Sequence, residues 1–294
     1  MKYVYFICTG NTCRSPMAEG LFCAELEKQG LSSLCSVKSA GLAATVGAPP
    51  SDNAVSAAKK YGADISAHRS NALSQYDLSE ENYYICMSPS HEAVLRQFVP
   101  HANFLTLQVS DPFDGDLERY NVCCREIYEK MPQVFRLVFG FDEIHPMTKG
   151  DIAGVAAIEK ACFVHPWSEQ SLSEELDNET ARFFVAILDG MAVGYIGANN
   201  ISGEVYVTNV AVLPEHRKKG IAKALLTKLI AQCKSENAAF LTLEVRESNA
   251  PAIALYQSFG FTERGQRKRF YSDPEENALI YTLDFNLTDK KANP

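Results

Sequence analysis

The chain has no apolar run long enough to cross a membrane, no Cys-x-x-Cys pair, no internal repeat and no low-complexity stretch. The N-terminal run Tyr3-Val4-Tyr5-Phe6-Ile7-Cys8 is far too short for a signal peptide or a spanning helix. Without Cys-x-x-Cys spacing the usual paired zinc ligands are missing, so no metal site is expected. Nine cysteines, an odd number at irregular spacings, form no disulfide framework. Free thiols and the lack of an export signal predict a reducing cytoplasm. An excess of positive charge is also lacking: 28 Lys and Arg face 36 Asp and Glu, a net charge of −8. That argues against a nucleic-acid partner or an anionic membrane surface. What remains is a globular composition, 46% hydrophobic and 22% charged, on 294 residues. That length exceeds what one core usually supports, so two domains are expected.

The first domain is expected over residues 1–141. Tyr3-Val4-Tyr5-Phe6-Ile7 is continuously apolar, as a strand buried on both faces should be. A turn follows, then a helix capped by Ser15 with Pro16 at its first position. Met17, Leu21, Ala24 and Lys28 fall roughly on one helical face. Tyr83–Met87 and Phe104–Leu107 read as further strands, with helical stretches between them and a closing helix from Leu117 to Phe139. Gly140–Gly150 reads as a linker. The second domain is expected over residues 147–286, beginning with helices at Asp151–Cys162 and Ser168–Leu176. Strands follow at Phe183–Leu188, Met191–Ala198 and Glu204–Val212. The polar tail Thr288–Pro294 is expected to fray. The fold class is α/β and α+β, a parallel-sheet domain followed by a mixed-sheet domain.

Chemistry first shows at Cys8-Thr9-Gly10-Asn11-Thr12-Cys13-Arg14-Ser15, between a strand and a helix start. Backbone N–H groups of such a loop converge on one point, and the helix dipole adds positive potential there. A phosphate fits that cradle. The same field favours the nucleophilic thiolate of Cys8, and Arg14 can bind two phosphate oxygens in a fork. Taken alone, Cys8 reads as a buried structural cysteine; the arginine, serine and glycine around it make that reading poor.

Together with Ser39-Ala40-Gly41, His68-Arg69-Ser70 and Asp111-Pro112, this loop resembles the low-molecular-weight protein tyrosine phosphatase family over nearly the whole first half. The resemblance implies Cys8 as nucleophile forming a phosphocysteine, Arg14 as phosphate clamp and Asp111 as general acid and base. Asn11, Ser15, Ser39 and His68 then match a supporting hydrogen-bond network. Phosphotyrosine-selective members commonly carry isoleucine where this chain has Thr12. They often place two aromatics after the Asp-Pro pair, where this chain has Phe113-Asp114. Thr12 is similar to the protein arginine phosphatases, so phosphoarginine is favoured over phosphotyrosine. Arsenate reduction, which shares the loop, needs a relay of nearby cysteines, and none follows Cys86 as far as Ala93. Cys8 and Cys13 could still form a reversible disulfide that shields the nucleophile.

In the second half, Glu204–Val212 runs into Arg217-Lys218-Lys219-Gly220-Ile221-Ala222, which opens a helix through Ile230. Ile221, Leu225 and Leu229 form its buried stripe, and the free N–H groups of its first turn suit a pyrophosphate. By itself this is equally a basic turn before an amphipathic helix. The strand Leu241–Arg246 and the helix opened by Asn249-Ala250-Pro251 follow, with Ala254-Leu255-Tyr256, Phe259-Gly260-Phe261 and Tyr271 beyond. With Pro166-Trp167-Ser168, this ordered set resembles the GNAT acetyltransferases, nearest the ribosomal-protein-alanine N-acetyltransferase (RimI-like) branch. The resemblance implies acetyl-CoA as co-substrate and a protein N-terminus, of ribosomal type, as acceptor. Glu244 would take the proton of the acceptor amine and Tyr256 would protonate the departing thiolate. Val210 and Val212 would grip the pantetheine arm, Arg217 to Ala222 the pyrophosphate, and Asn249 the cofactor. The expectation is thus a bifunctional enzyme acting on a phosphorylated protein and on a protein amine. The alternative makes one domain a silent binding or targeting module.

Overall fold

The computed structural model describes residues 2–285; the tail Thr288–Pro294 lies outside the described residues. The chain divides into two compact units, Met1–Asp142 and Glu143–Pro294. The first unit runs β1 (Lys2–Cys8), α1 (Arg14–Gln29), β2 (Cys35–Gly41), α2 (Asp52–Lys59), β3 (Tyr83–Cys86), α3 (Pro89–Leu95), β4 (Asn103–Thr106), α4 (Leu117–Glu129) and α5 (Met131–Phe139). Its sheet is wholly parallel, in the order β2-β1-β3-β4. Central β1 is buried from Val4 to Cys8, as its unbroken apolar run demands. Tyr5 and Ile7 join Tyr84, Cys86, Leu95 and Val99. On the other face the Phe6 ring lies 5.6 Å from Phe22 of α1, itself 5.0 Å from Phe135 of α5. From β2 at one edge the chain returns past β1 to β3, and such a reversal opens a crevice at the carboxyl ends of the strands. Cys8 stands there, at the last position of β1.

Three local expectations change. α1 starts at Arg14 with Cys13 as N-cap, so Ser15 lies inside the helix and its hydroxyl serves the cysteine rather than the cap. The buried stripe of α1 is Met17, Ala18, Leu21, Phe22 and Leu26, between two i,i+4 rows, while Lys28 is solvent-exposed and Ala24 only half-buried. The closing helix breaks at Lys130, because Pro132 in the first turn of α5 cannot continue a helical ladder from α4.

The second unit runs β5 (Glu143–Pro146), α6 (Ile152–Cys162), α7 (Glu169–Leu176), β6 (Ala181–Leu188), β7 (Met191–Ile201), β8 (Glu204–Val212), α8 (Ile221–Ser235), β9 (Phe240–Arg246), α9 (Ala250–Ser258), β10 (Thr262–Ser272) and β11 (Glu275–Asp284). The stretch read as a linker therefore carries an edge strand, antiparallel to β6. The order is β10-β11-β9-β8-β7-β6-β5, antiparallel except for β8 against β9. Val155, Ile158 and Leu172 of α6 and α7 pack on Phe183, Val185, Tyr195 and Ala211. α8 covers the opposite face, and Gly194 makes room for it: a Cβ there would meet Ile221 Cγ2 at 3.1 Å. The parallel pairing joins only Glu204–Tyr206 to Phe240–Thr242. Beyond those residues β8 keeps β7 and β9 keeps β11, so the two strands part and leave backbone facing an opening.

Candidate active sites

The loop after β1 is shaped by Asn11, whose φ of 54° turns the chain back toward Cys8. Asparagine tolerates this left-handed conformation better than most residues. The Asn11 N–H points at Cys8 Sγ at 3.2 Å, and Ser15 Oγ lies 2.9 Å from the same sulfur. Asn11 Nδ2 donates to Ser15 Oγ at 2.9 Å and Ser39 Oγ at 2.8 Å. Its Oδ1 accepts from Asn71 N at 2.7 Å, and its carbonyl oxygen meets His68 Nε2 at 3.0 Å. Ser39 donates to Glu19 Oε2 at 2.5 Å, and His68 Nδ1 lies 3.8 Å from that oxygen. Burial pushes the Glu19 carboxyl above its ordinary value, against the opposing pull of Ser39 and His68. Cys8, Asn11, Ser15, Ser39 and His68 thus come together in one network. Glu19 and Asn71 complete it and were missed; Glu19 had a signal, standing one helical turn after Ser15.

Arg14 is nearly buried, and its guanidinium meets the half-exposed Asp111 at 2.5 Å. Phe113 N donates to Asp111 Oδ1 at 3.2 Å, in a turn closed by Gly115 N to Pro112 O. Asp114 sits in that turn at φ 56°, exposed, and Phe113 is 64% exposed. Thr12 is half-buried, with its hydroxyl 3.6 Å from Cys13 Sγ. Cys13 Sγ lies 3.2 Å from Tyr120 OH and 3.6 Å from Ser51 Oγ. Cys8 and Cys13 are both free thiols. Thr9 Oγ1 reaches His91 Nε2 at 3.0 Å. Cys86 is fully buried and burial pushes its thiol up to about 12, which makes it a poor relay thiol.

In the second unit Phe240, Thr242, Glu244 and Arg246 face one side of β9, while Leu241, Leu243 and Val245 enter the core. Glu244 lines a cavity of about 380 Å³ with Tyr206, Thr242, Arg267, Ile280 and Thr282. Arg267 of β10 pairs with Glu244 at 3.1 Å, a partner sequence reasoning missed. Tyr256 is 7% exposed on α9, its ring 5.7 Å from Phe261. Burial first, and the neighbouring Tyr271 next, push its phenol up to about 12. Burial likewise raises Tyr271, against the Arg246 guanidinium that lies 4.1 Å over its ring. Val210 and Val212 lie on β8 beside its open edge. The Val212 carbonyl accepts from Arg217 Nε at 3.0 Å, so the Arg217 side chain turns back to the strand while Lys218 and Lys219 stay exposed. The Asn249 side chain accepts from Ala252 N at 3.3 Å, capping α9.

Helix starts differ in how their first N–H groups are satisfied. α2, α4, α7 and α9 are capped by the side chains of Ser51, Asp116, Ser168 and Asn249. α1 and α8, like α5 and α6, have no side-chain cap and no acidic residue in their first turn, but α1 and α8 follow the two loops read as anion sites. Their free N–H groups suit an anion, and a carboxylate there would compete with it. Gly220, at φ 100°, would have no neighbouring atom within 4 Å of a Cβ. That opening and the uncapped α8 fit a pyrophosphate carrier such as acetyl-CoA. Among the described residues no group of three or more His, Cys, Asp or Glu could hold a metal ion, and no helix is long and apolar enough to cross a membrane.

Residues 3–139 match the family described as low molecular weight phosphotyrosine protein phosphatase, and residues 152–261 match the acetyltransferase (GNAT) family. A putative ribosomal protein bS18-alanine N-acetyltransferase from Bacillus subtilis is 37% identical over 144 residues, 49% of this chain and 95% of that relative. Among solved structures, the low molecular weight protein tyrosine phosphatase from T. tengcongensis is 35% identical. It covers 46% of this chain and 99% of its own, with a TM-score of 0.43. A mutant of the YwlE arginine phosphatase is 29% identical, covers 43% and 89%, and has a TM-score of 0.40.

Proposed function

We propose that this chain, which belongs to the low molecular weight phosphotyrosine protein phosphatase family through its first half and to the GNAT acetyltransferase family through its second, is a bifunctional enzyme with two working active sites. The single observation that carries the phosphatase reading is the loop: a thiol met by the Asn11 N–H and the Ser15 hydroxyl, with Arg14 and Asp111 in contact beside it. Cys8 Sγ attacks phosphorus while Arg14 holds two equatorial oxygens, which displace the Asp111 carboxylate. Freed from Arg14, Asp111 takes up a proton from solvent and gives it to the leaving group, then takes one from the water that frees phosphate from phosphocysteine. The Asn11 N–H and the Ser15 hydroxyl hold the sulfur in place as nucleophile and as leaving group.

Phosphoarginine in a protein is the favoured substrate. Thr12 presents a weakly engaged hydroxyl to the loop, and a single exposed aromatic, Phe113, offers no closed slot for a phenyl ring. In the second half the parted β8 and β9 take the pantetheine arm beside Val210 and Val212, and the α8 start takes the pyrophosphate. Glu244 accepts a proton from the acceptor ammonium and Tyr256 protonates the thiolate. The acceptor is a protein N-terminus, of ribosomal type, and the site of action is the cytoplasm.

Kinetics of the purified chain on matched phosphoarginine and phosphotyrosine peptides, with acetyl transfer to an N-terminal alanine peptide, test both halves. Cys8→Ser should abolish dephosphorylation and spare acetylation; Glu244→Gln should do the reverse. A strong phosphotyrosine preference would overturn the reading of Thr12. Joint loss in either variant would leave one half as a module serving the other.

A further inference from the structure

His91 contributes nothing to the chemistry described so far, yet it touches the loop that carries Cys8. It lies on α3, directly after β3, and is 4% exposed. Both ring nitrogens are engaged: Nε2 with Thr9 Oγ1 at 3.0 Å and Nδ1 with Ser88 Oγ at 2.7 Å. Thr9 is the residue immediately after Cys8, and its backbone is already tied, its carbonyl accepting from Ala43 N at 2.9 Å. The Asn11 side of the loop is braced from β2 and from residues 68–71. His91 braces the Cys8 side from the end of β3.

We propose that His91 is a positioning residue of the phosphatase site, holding the phosphate loop in its working shape through the Thr9 hydroxyl. The inference rests on the phosphatase reading above. Arg14 on α1 and Asp111 after β4 are the charged groups that face the ring. On its own helix Glu92 is turned to Arg96, at 2.7 Å, and to Thr106. Burial first, and Arg14 next, hold the His91 pKa below its ordinary value, so the ring is neutral near pH 7. In a neutral ring one nitrogen donates and the other accepts from a hydroxyl. A second proton turns the acceptor into a donor, forces the facing hydroxyl to rotate and sets a cation against Arg14. The brace is therefore strongest at neutral pH and is weakened, by repulsion from Arg14, as pH falls through the lowered pKa.

The test uses the full chain with p-nitrophenyl phosphate and a phosphoarginine peptide, following kcat and KM against pH. Thr9→Val and His91→Leu should each lower kcat about tenfold with little change in KM, the scale of a misplaced loop. The double variant should lose no more than either single one, because both remove the same contact. His91→Gln, whose amide can still reach Thr9, should recover most of the rate and should lose the acid-side dependence contributed by the imidazole. Additive losses, or a silent Thr9→Val beside a His91→Leu that only lowers the melting temperature, would overturn the inference. Wild-type chain inactive on both substrates would instead bring down the phosphatase reading itself. Thr9→Val and His91→Gln keep the test decisive where His91→Leu does not fold.

Discussion

Asn11 shows how much one residue can hold. Its backbone supplies a donor to Cys8, its carbonyl meets His68, and its amide spans Ser15, Ser39 and the Asn71 N–H. Asn11→Ala removes the side-chain bonds and places a residue ill-suited to φ 54° at the turn. Phosphatase kcat should fall on the order of 10²-fold, as when an oriented donor is lost, while acetyl transfer is unchanged. Steady-state assays of both activities check this. Tyr256 gives the matching prediction in the second unit. Tyr256→Phe should lower acetyl-transfer kcat by about 10²–10⁴, the range of a general acid. Because burial pushes its phenol up to about 12, the wild-type rate should show no loss from Tyr256 ionisation below about pH 11. A basic limb near pH 9 that disappears in Tyr256→Phe would refute that assignment. Cys8 and Arg14 were legible from spacing, because a thiol and a guanidinium around a short loop have few other uses. Asn71 and His91 were not, because asparagine and histidine at unremarkable spacings carry no signal until folding puts them beside the loop.

Elements impose constraints that no side chain reveals. Gly41, the last residue of β2, passes so close to the phosphate loop that a Cβ would stand 2.5 Å from the Thr9 carbonyl oxygen and 3.1 Å from Asn11 N. Its need is for close approach rather than for special dihedrals. Gly41→Ala should displace the loop and cost about 10²-fold or more in phosphatase kcat/KM. Far-UV circular dichroism should stay near wild type and acetyl transfer intact; full phosphatase activity in this variant would contradict the close approach. β10 went unread because Thr262–Ser272 is polar and largely exposed, so no alternation marks it. Its ladder with β11 is also interrupted between Arg267 and Tyr271. The edge strand β5 went unread because four residues containing Pro146 look like a connection.

For the molecule as a whole, buried thiols set the alkaline limit. Cys35, Cys86, Cys123, Cys124 and Cys233 are each pushed up to about 12 by burial. In an unfolded chain such thiols ionise near about 8.5. Above that pH the unfolded state binds fewer protons than the folded one, so stability present below about 8.5 is lost as pH rises. Four of the five lie in the first unit, so its thermal midpoint should fall more between pH 7.5 and 9.5 than that of the second; scanning calorimetry in the presence of a reductant reads both. Separation gives another test: residues 1–142 and 143–294 should each fold and keep one activity. A cut after Pro146 should weaken the second fragment by stripping β5 from β6. By itself the sequence determined the two-domain plan, the parallel and mixed sheets, and the loop that sets Cys8 and Arg14 between a strand and a helix. Local periodicity and short spacings encode all of these. Only the tertiary structure decided which residues brace the loop, that Arg267 pairs with Glu244, and that β8 parts from β9. Each joins segments far apart in the chain, and no local pattern records which of them meet.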